Sequence, residues 1–175
     1  MRVRLEEPKD WAAVHRVNAA AFPTTAEADL VDIVRLRANP IISLVAEQDE
    51  TVIGHMLFSP VTLTGHADLK VMGLAPMAVA KDHQRQGVGS ALVREGLARC
   101  KELDFGAVVV LGHPDYYPRF GFAPAVQYGI GCEFAAPPEA FMIVELEPGY
   151  LHGKSGTIRY HSAFDVFRWE RRRVG

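Results

Sequence analysis

Hydrophobic spacing changes its period several times along this chain. "MRVRLEE" alternates apolar and charged residues and predicts a short strand. From Pro8 to Phe22, Trp11, Val14, Val17 and Ala21 recur three or four apart. That predicts an amphipathic helix with Pro8 in its first turn. "PTT" breaks it, and a second helix from Ala26 to Ala38 carries Leu30, Ile33, Val34 and Leu36 before "ANP" ends it. The period then falls to two. "IISLVAEQ" (41–48) and "TVIGHMLFSPVTLTG" (51–65), joined at "DE", predict an antiparallel hairpin with a long second strand, in which Pro60 marks an edge or a bulge. "VMGLAPMAVA" (71–80) is apolar almost throughout, as a central strand is. Pro76 cannot donate to a ladder, so it predicts a bulge or a splay.

Helical spacing returns over residues 87–104, where Val88, Leu92, Cys100 and Leu103 share a face. "GAVVVLG" (106–112) is a buried β-branched strand. Strand, helix and strand make a βαβ-type crossover, so the two strands should run parallel. "HPDYYPRFGF" predicts a short turn or helix, and "AAPPEA" (135–140) a surface loop. "FMIVELE" (141–147) and "GTIRYHSA" (156–163) read as later strands. The order β-α-α-β-β-β-α-β-α-β-β-β describes a mixed α+β fold, one sheet with helices packed against it.

The 175 residues suffice for one sizeable core, so a single domain over 1–175 is expected. A net charge of -2 argues against a nucleic-acid or membrane-surface binder. The one basic run, Arg171-Arg172-Arg173, reads as a solvated tail. The two cysteines lack metal or disulfide spacing, and Cys100 falls on the helical apolar face as a buried thiol. The seven histidines include no HxxxH or HExxH pair, so no metal is expected. Neither a signal-like N-terminus nor a membrane-length apolar run is present, which makes the cytoplasm the expected compartment.

Candidate chemistry concentrates in "HQRQGVGSAL" (83–92). Gly87 and Gly89 open a helix behind Gln84, Arg85 and Gln86. The first-turn N–H groups and the positive end of the helix dipole suit an anion. Without bulky side chains at Gly87 and Gly89, amides from Gln86 through Val88 to Ser90 could wrap a pyrophosphate. A Walker A loop would need a lysine after Gly89, where Ser90 stands. A Rossmann fingerprint would need a third glycine where Leu92 stands.

The pattern Gln84-x-x-Gly87-x-Gly89 after a central strand resembles the pyrophosphate motif of the GNAT superfamily of acetyl-CoA-dependent N-acetyltransferases. "YYPRFGF" (116–122) resembles that family's Y-x-x-x-GF element after the fifth strand. "AFPTTAEADLVDIVRLR" and "GTIRYHSAF" are similar to one bacterial branch of predicted acetyltransferases. The resemblance implies a mostly antiparallel sheet splayed between its fourth and fifth strands. It implies a CoA-binding core over about residues 71–122, and transfer of acetyl from acetyl-CoA to the primary amine of a small molecule, peptide or protein by direct attack. It further implies that backbone at Met77, Ala78 and Val79 pairs with pantetheine, with one N–H polarising the thioester. Gln84, Arg85, Gln86, Gly87, Val88, Gly89 and Ser90 would hold the pyrophosphate, and Tyr117 would protonate the leaving thiolate, with Tyr116 as its competitor.

The strand "VMGLAPMAVA" carries no acid, which leaves Glu27, His113 or solvent water as the group taking the amine's proton. A non-catalytic CoA-binding module on the same fold is the alternative, and a homodimer remains open. The acceptor side is expected from the first two helices, the hairpin and the loop near Tyr150–Ser155.

Overall fold

The computed structural model describes residues 1–167, so Arg171-Arg172-Arg173 lies outside the described residues. The chain runs β1 (Arg2–Leu5), α1 (Trp11–Ala21), α2 (Ala26–Arg37), β2 (Ile42–Gln48), β3 (Thr51–Leu63), β4 (His66–Val79), α3 (Val88–Glu102) and β5 (Ala107–Leu111). Four short strands follow, β6 (Ala123–Pro124), β7 (Ile130–Cys132), β8 (Phe141–Glu145) and β9 (Gly156–Arg159). They make one sheet in the order β1-β2-β3-β4-β5-β8-β6, with β9 against β3 and β7 against β9. The β4–β5 and β7–β9 pairs are parallel and the others antiparallel. The crossover through α3 therefore joins parallel neighbours, as its length requires.

Local chemistry explains most boundaries. Asp49 and Glu50 both hold positive φ, 50° and 61°, the two-residue turn that matches strand twist. Pro60 sits between the last β2 pairing at Phe58 and the first β9 pairing at Thr62. The missing donor thus falls where that edge of β3 changes partner. β4 begins at His66, five residues before the apolar run at Val71. Its exposed polar start is ordered by the β3 hairpin, not by burial. β8 and β9 end earlier than their sequence patterns suggest, at Glu145 and Arg159.

Two layers of helix cover the sheet. α3 lays Val88, Leu92, Val93 and Cys100 on Leu44, Met56, Phe58, Met72, Val108 and Val110. Burial pushes the Cys100 thiol up to about 12, so it packs as an apolar group. On the opposite face, Val14 of α1 and Leu30, Val31 and Val34 of α2 pack on Val45 and Leu57. The α1 spacing misassigns part of its buried face. Trp11 is 44% exposed, beneath the Arg35 guanidinium, while Asn18 is fully buried. Ile33 and Leu36 of α2 face outward. Among the described residues no helix is long and apolar enough to cross a membrane.

Candidate active site

β4 and β5 pair only from Val71–Leu74 to Ala107–Val110. Beyond Leu74 their ladder stops, while β4 continues along β3 through Met77, Ala78 and Val79. On that side Phe58 pairs with Leu74 and Met56 with Met77, so Ala75 and Pro76 together face Leu57. This is the bulge expected at Pro76, whose peptide bond is cis. The backbone of β4 from Ala75 to Val79 is thereby left unladdered on its β5 side.

A cavity of about 920 Å³ occupies the split. Its β4 wall is Leu74, Ala75, Pro76 and Met77, and its β5 wall is Val110, Leu111, Gly112 and His113. Tyr117 lies in this lining, as do Phe22, Glu27 and Leu30 from the end of α1 and the start of α2. Phe134, Tyr160, Phe164 and Phe167 complete it. The three candidate proton-transfer residues, Tyr117, His113 and Glu27, are thus brought to one cavity.

The two adjacent tyrosines do different things. Tyr116 reaches the first turn of α3, where its hydroxyl is 3.2 Å from Ser90 Oγ. Arg119 covers its ring at 4.5 Å. Tyr117 is 6% exposed and makes no side-chain hydrogen bond among the described residues. Its ring packs close over Gly112, where an added Cβ would stand 2.5 Å from it. Burial, with Tyr116 beside it, raises the Tyr117 phenol above its ordinary value and keeps it protonated. His113 is exposed, and its carbonyl accepts from the Tyr116 N–H at 3.1 Å. Glu27 is half-buried in the first turn of α2.

The glycine loop is tied down by its own side chains. Gln84 donates to the Val79 carbonyl at 3.1 Å, closing the loop onto the end of β4, and Gln86 donates to the Asp82 carbonyl at 3.1 Å. Arg85 holds a positive φ of 60°. The two glycines serve separate needs. Gly87 has φ +84° and caps α3, a conformation costly for any residue with a Cβ. Gly89 answers a close approach, since a Cβ there would lie 2.9 Å from the Tyr116 hydroxyl and 3.5 Å from Met77 Sδ. The first helical bond runs from Ala91 N–H to the Gly87 carbonyl, which leaves the amides of Val88, Gly89 and Ser90 without helical acceptors. Val88 points its side chain into the core, and Ala78 is buried opposite His55.

Three kinds of comparison agree with this geometry. The model of the acetyltransferase (GNAT) domain matches residues 2–125. The chain belongs to the GNAT acetyltransferase family. It is 38% identical over 168 residues to YhbS, an uncharacterized N-acetyltransferase of Escherichia coli K12, covering 95% of this chain and all of that protein. The crystal structure of Escherichia coli YhbS in complex with CoA superposes with a TM-score of 0.88 at 36% identity, over 94% of this chain and 91% of that one. A GNAT acetyltransferase from Brucella melitensis in complex with acetyl-CoA gives 0.76 at 35% identity, over 94% and 97%. The chain is accordingly an acyltransferase of GNAT type, with the mixed α+β sheet split between β4 and β5 that the motifs imply.

Two expected contributors are elsewhere, since no residue of the β2–β3 hairpin lines the cavity. The Tyr150–Ser155 loop lines a separate hollow with Gln127, Tyr128 and Glu145. The Tyr150 hydroxyl accepts from the Lys70 N–H at 2.7 Å, anchoring the loop at the far end of β4. In its place stand Phe134, Tyr160, Phe164 and Phe167, which no periodicity flagged; their signal was the aromatic density of residues 134–167. A buried network also went unread. His55 Nδ1 lies 3.0 Å from Asn18 Nδ2 and its Nε2 lies 2.8 Å from Ser43 Oγ. Among the described residues, one group of metal-type ligands converges outside the cavity, His15, Asp29 and Asp32, and Asp32 there already pairs with His15 and Arg35.

Proposed function

We propose that this chain binds acetyl-CoA and transfers its acetyl group to a primary amine by direct attack. The observation that carries the reading is the connection between two features. The split beyond Leu74 leads from Met77, beside Gly89 at the start of α3, to the Tyr117 phenol. The amides of Val88, Gly89 and Ser90 suit a pyrophosphate, and Gln84, Arg85 and Gln86 shape the loop before them. The unladdered β4 backbone at Met77, Ala78 and Val79 suits the pantetheine amides, and an N–H there suits the thioester oxygen. That the two related structures are complexes with CoA and with acetyl-CoA supports a ligand of this class.

In the reaction the neutral amine nitrogen attacks the thioester carbonyl carbon, and the carbon–sulfur bond breaks with its electron pair on sulfur. Tyr117 gives that sulfur its proton. The proton shed by the nitrogen passes through His113, Glu27 or water and restores the phenol, so products are the amide and CoA thiol. Burial keeps the phenol in its protonated form, and among the described residues it has no protein acceptor, so its proton is available to the sulfur. The absence of an acid from Val71 to Val79 of β4 also supports a second reading, a non-catalytic CoA-binding module. Thermal shift with CoA, acetyl-CoA, NAD and ATP, followed by thiol release across an amine panel, tests both. A shift with CoA and acetyl-CoA alone plus thiol release supports transfer. A shift without thiol release from any amine supports the binding module, and no shift with CoA overturns both.

A further inference from the structure

The cavity is lined mostly by apolar and aromatic side chains. Of its lining side chains, Glu27 is the one carboxylate, and His113 and the phenols of Tyr117 and Tyr160 are the other ionisable groups among the described residues. The remainder is apolar or aromatic. Four aromatic rings form a continuous wall away from the β4–β5 split. Phe134 and Tyr160 have centroids 5.5 Å apart, Tyr160 and Phe164 5.1 Å, and Phe164 and Phe167 6.3 Å. Phe22 and Leu30 face the same space from α1 and α2. Phe22 and the four rings come from three separate segments, and Gly73 makes room for Tyr160, since a Cβ there would stand 2.9 Å from its ring.

We propose that the acceptor is a primary amine borne on an apolar body, aromatic or long-chain alkyl, with the body against Phe134, Tyr160, Phe164 and Phe167 and the ammonium drawn to Glu27. This rests on the transfer reading above. A hydroxyl-rich aminosugar or a polyamine would set several donors or charges against rings of which Tyr160 alone carries a polar atom, and each buried, unpaired polar group weakens binding. An acidic amine would meet the Glu27 carboxylate. An aralkyl amine withdraws its apolar surface from water, gains ring contacts and brings a single charge to the side of the cavity where Glu27 stands.

Phenethylamine, hexylamine, ethanolamine, spermidine and kanamycin are compared with two readouts. Calorimetric titration into the CoA-saturated protein measures binding, and thiol release from acetyl-CoA measures transfer. Each buried methylene is worth about fourfold, so hexylamine should bind about 10²-fold more tightly than ethanolamine, with phenethylamine similar. Phe134→Leu should reduce the preference for phenethylamine over hexylamine, and Glu27→Gln should weaken both amines while keeping their rank. Apolar amines that bind preferentially without releasing thiol support the acceptor class and overturn transfer. Thiol release led by ethanolamine, spermidine or kanamycin upholds transfer and overturns the acceptor class. Affinities equal within about threefold, or no binding by either apolar amine, also overturn it.

Discussion

Acid should destabilise this protein well above the range where carboxylates titrate, because of His55. The imidazole is fully buried on β3 between α1 and β2. Asn18 Nδ2 donates to the Val14 carbonyl at 3.0 Å, so the amide cannot turn its oxygen towards the ring. The same nitrogen lies 3.0 Å from His55 Nδ1, which must therefore accept, leaving Nε2–H to donate to Ser43 Oγ. A second ring proton would set N–H against N–H. Burial first, and the Arg35 charge second, push the imidazole down from 6.5 to about 3. The folded value lies below the unfolded one, so the unfolded chain takes up the proton first. Stability is intact above about pH 6.5 and falls as pH drops towards 3, by a little over 1 kcal/mol per unit. Between pH 6.5 and 4.5 the loss is roughly 2–3 kcal/mol, a large part of a typical domain's stability. Asp10, whose carboxyl the Arg4 guanidinium holds below its ordinary value, contributes chiefly below that window. Urea unfolding at pH 7.5, 6.5, 5.5 and 4.5 measures the slope, and His55→Gln should flatten it from a lower starting stability. If that variant does not fold, imidazole resonances of the native protein serve instead. A flat stability from pH 6.5 to 4.5, or a His55 ring that protonates near 6.5, refutes the reasoning.

Gly87→Ala forces a Cβ into φ +84° and should cost about 1–2 kcal/mol in denaturant melts, with no effect if the loop relaxes freely. Gly89→Ile must displace the Tyr116 hydroxyl, and should abolish the thermal shift given by CoA while the free protein stays folded; undiminished CoA binding would sink the phosphate-loop assignment. Tyr117→Phe removes a hydroxyl with no protein hydrogen bond among the described residues, so stability should hold within about 0.5 kcal/mol. Turnover should fall roughly 10²-fold, the lower end for a lost general acid, and full turnover with chemistry rate-limiting would make Tyr117 a packing residue. Tyr116→Phe loses the Ser90 contact and should be the milder change in turnover.

The parts of the fold legible in the sequence were those whose burial has a period. α3, β5 and the hairpin of β2 and β3 show one face or two to the core, and their patterns say so. Pro76 was legible because a missing donor in an apolar strand has few structural outlets. Strands β6 and β7, two and three residues long, carry too few positions for any period to show. Asn18 broke the α1 pattern because its burial is supported by hydrogen bonds to Val14 and His55, and a polar residue on an apolar face reads as solvent-facing. The glycine loop was legible as a motif, yet the division of labour was not. Only the structure separates the left-handed cap at Gly87 from the space Gly89 leaves for Tyr116. The aromatic wall is assembled from segments around Phe22, Phe134 and Tyr160–Phe167, which no local pattern connects.

The absence of an acid on β4 from Val71 to Val79 has a physical counterpart in the cavity. Burial here drives ionisable groups to their neutral forms, with Tyr117 kept protonated on one side of the sheet and His55 unprotonated behind it. The same apolar surroundings disfavour an ammonium. An amine entering from Glu27 towards the β4–β5 split would leave a carboxylate for a space walled by Leu74, Ala75, Pro76 and Val110, and its own pKa would fall on the way. Deprotonation in the proposed reaction then needs only a weak acceptor, a part open to His113 and Glu27 in the cavity lining or to solvent water. On the proposed reaction, a strong base beside the thioester is replaced by an environment that makes the neutral nucleophile the favoured form.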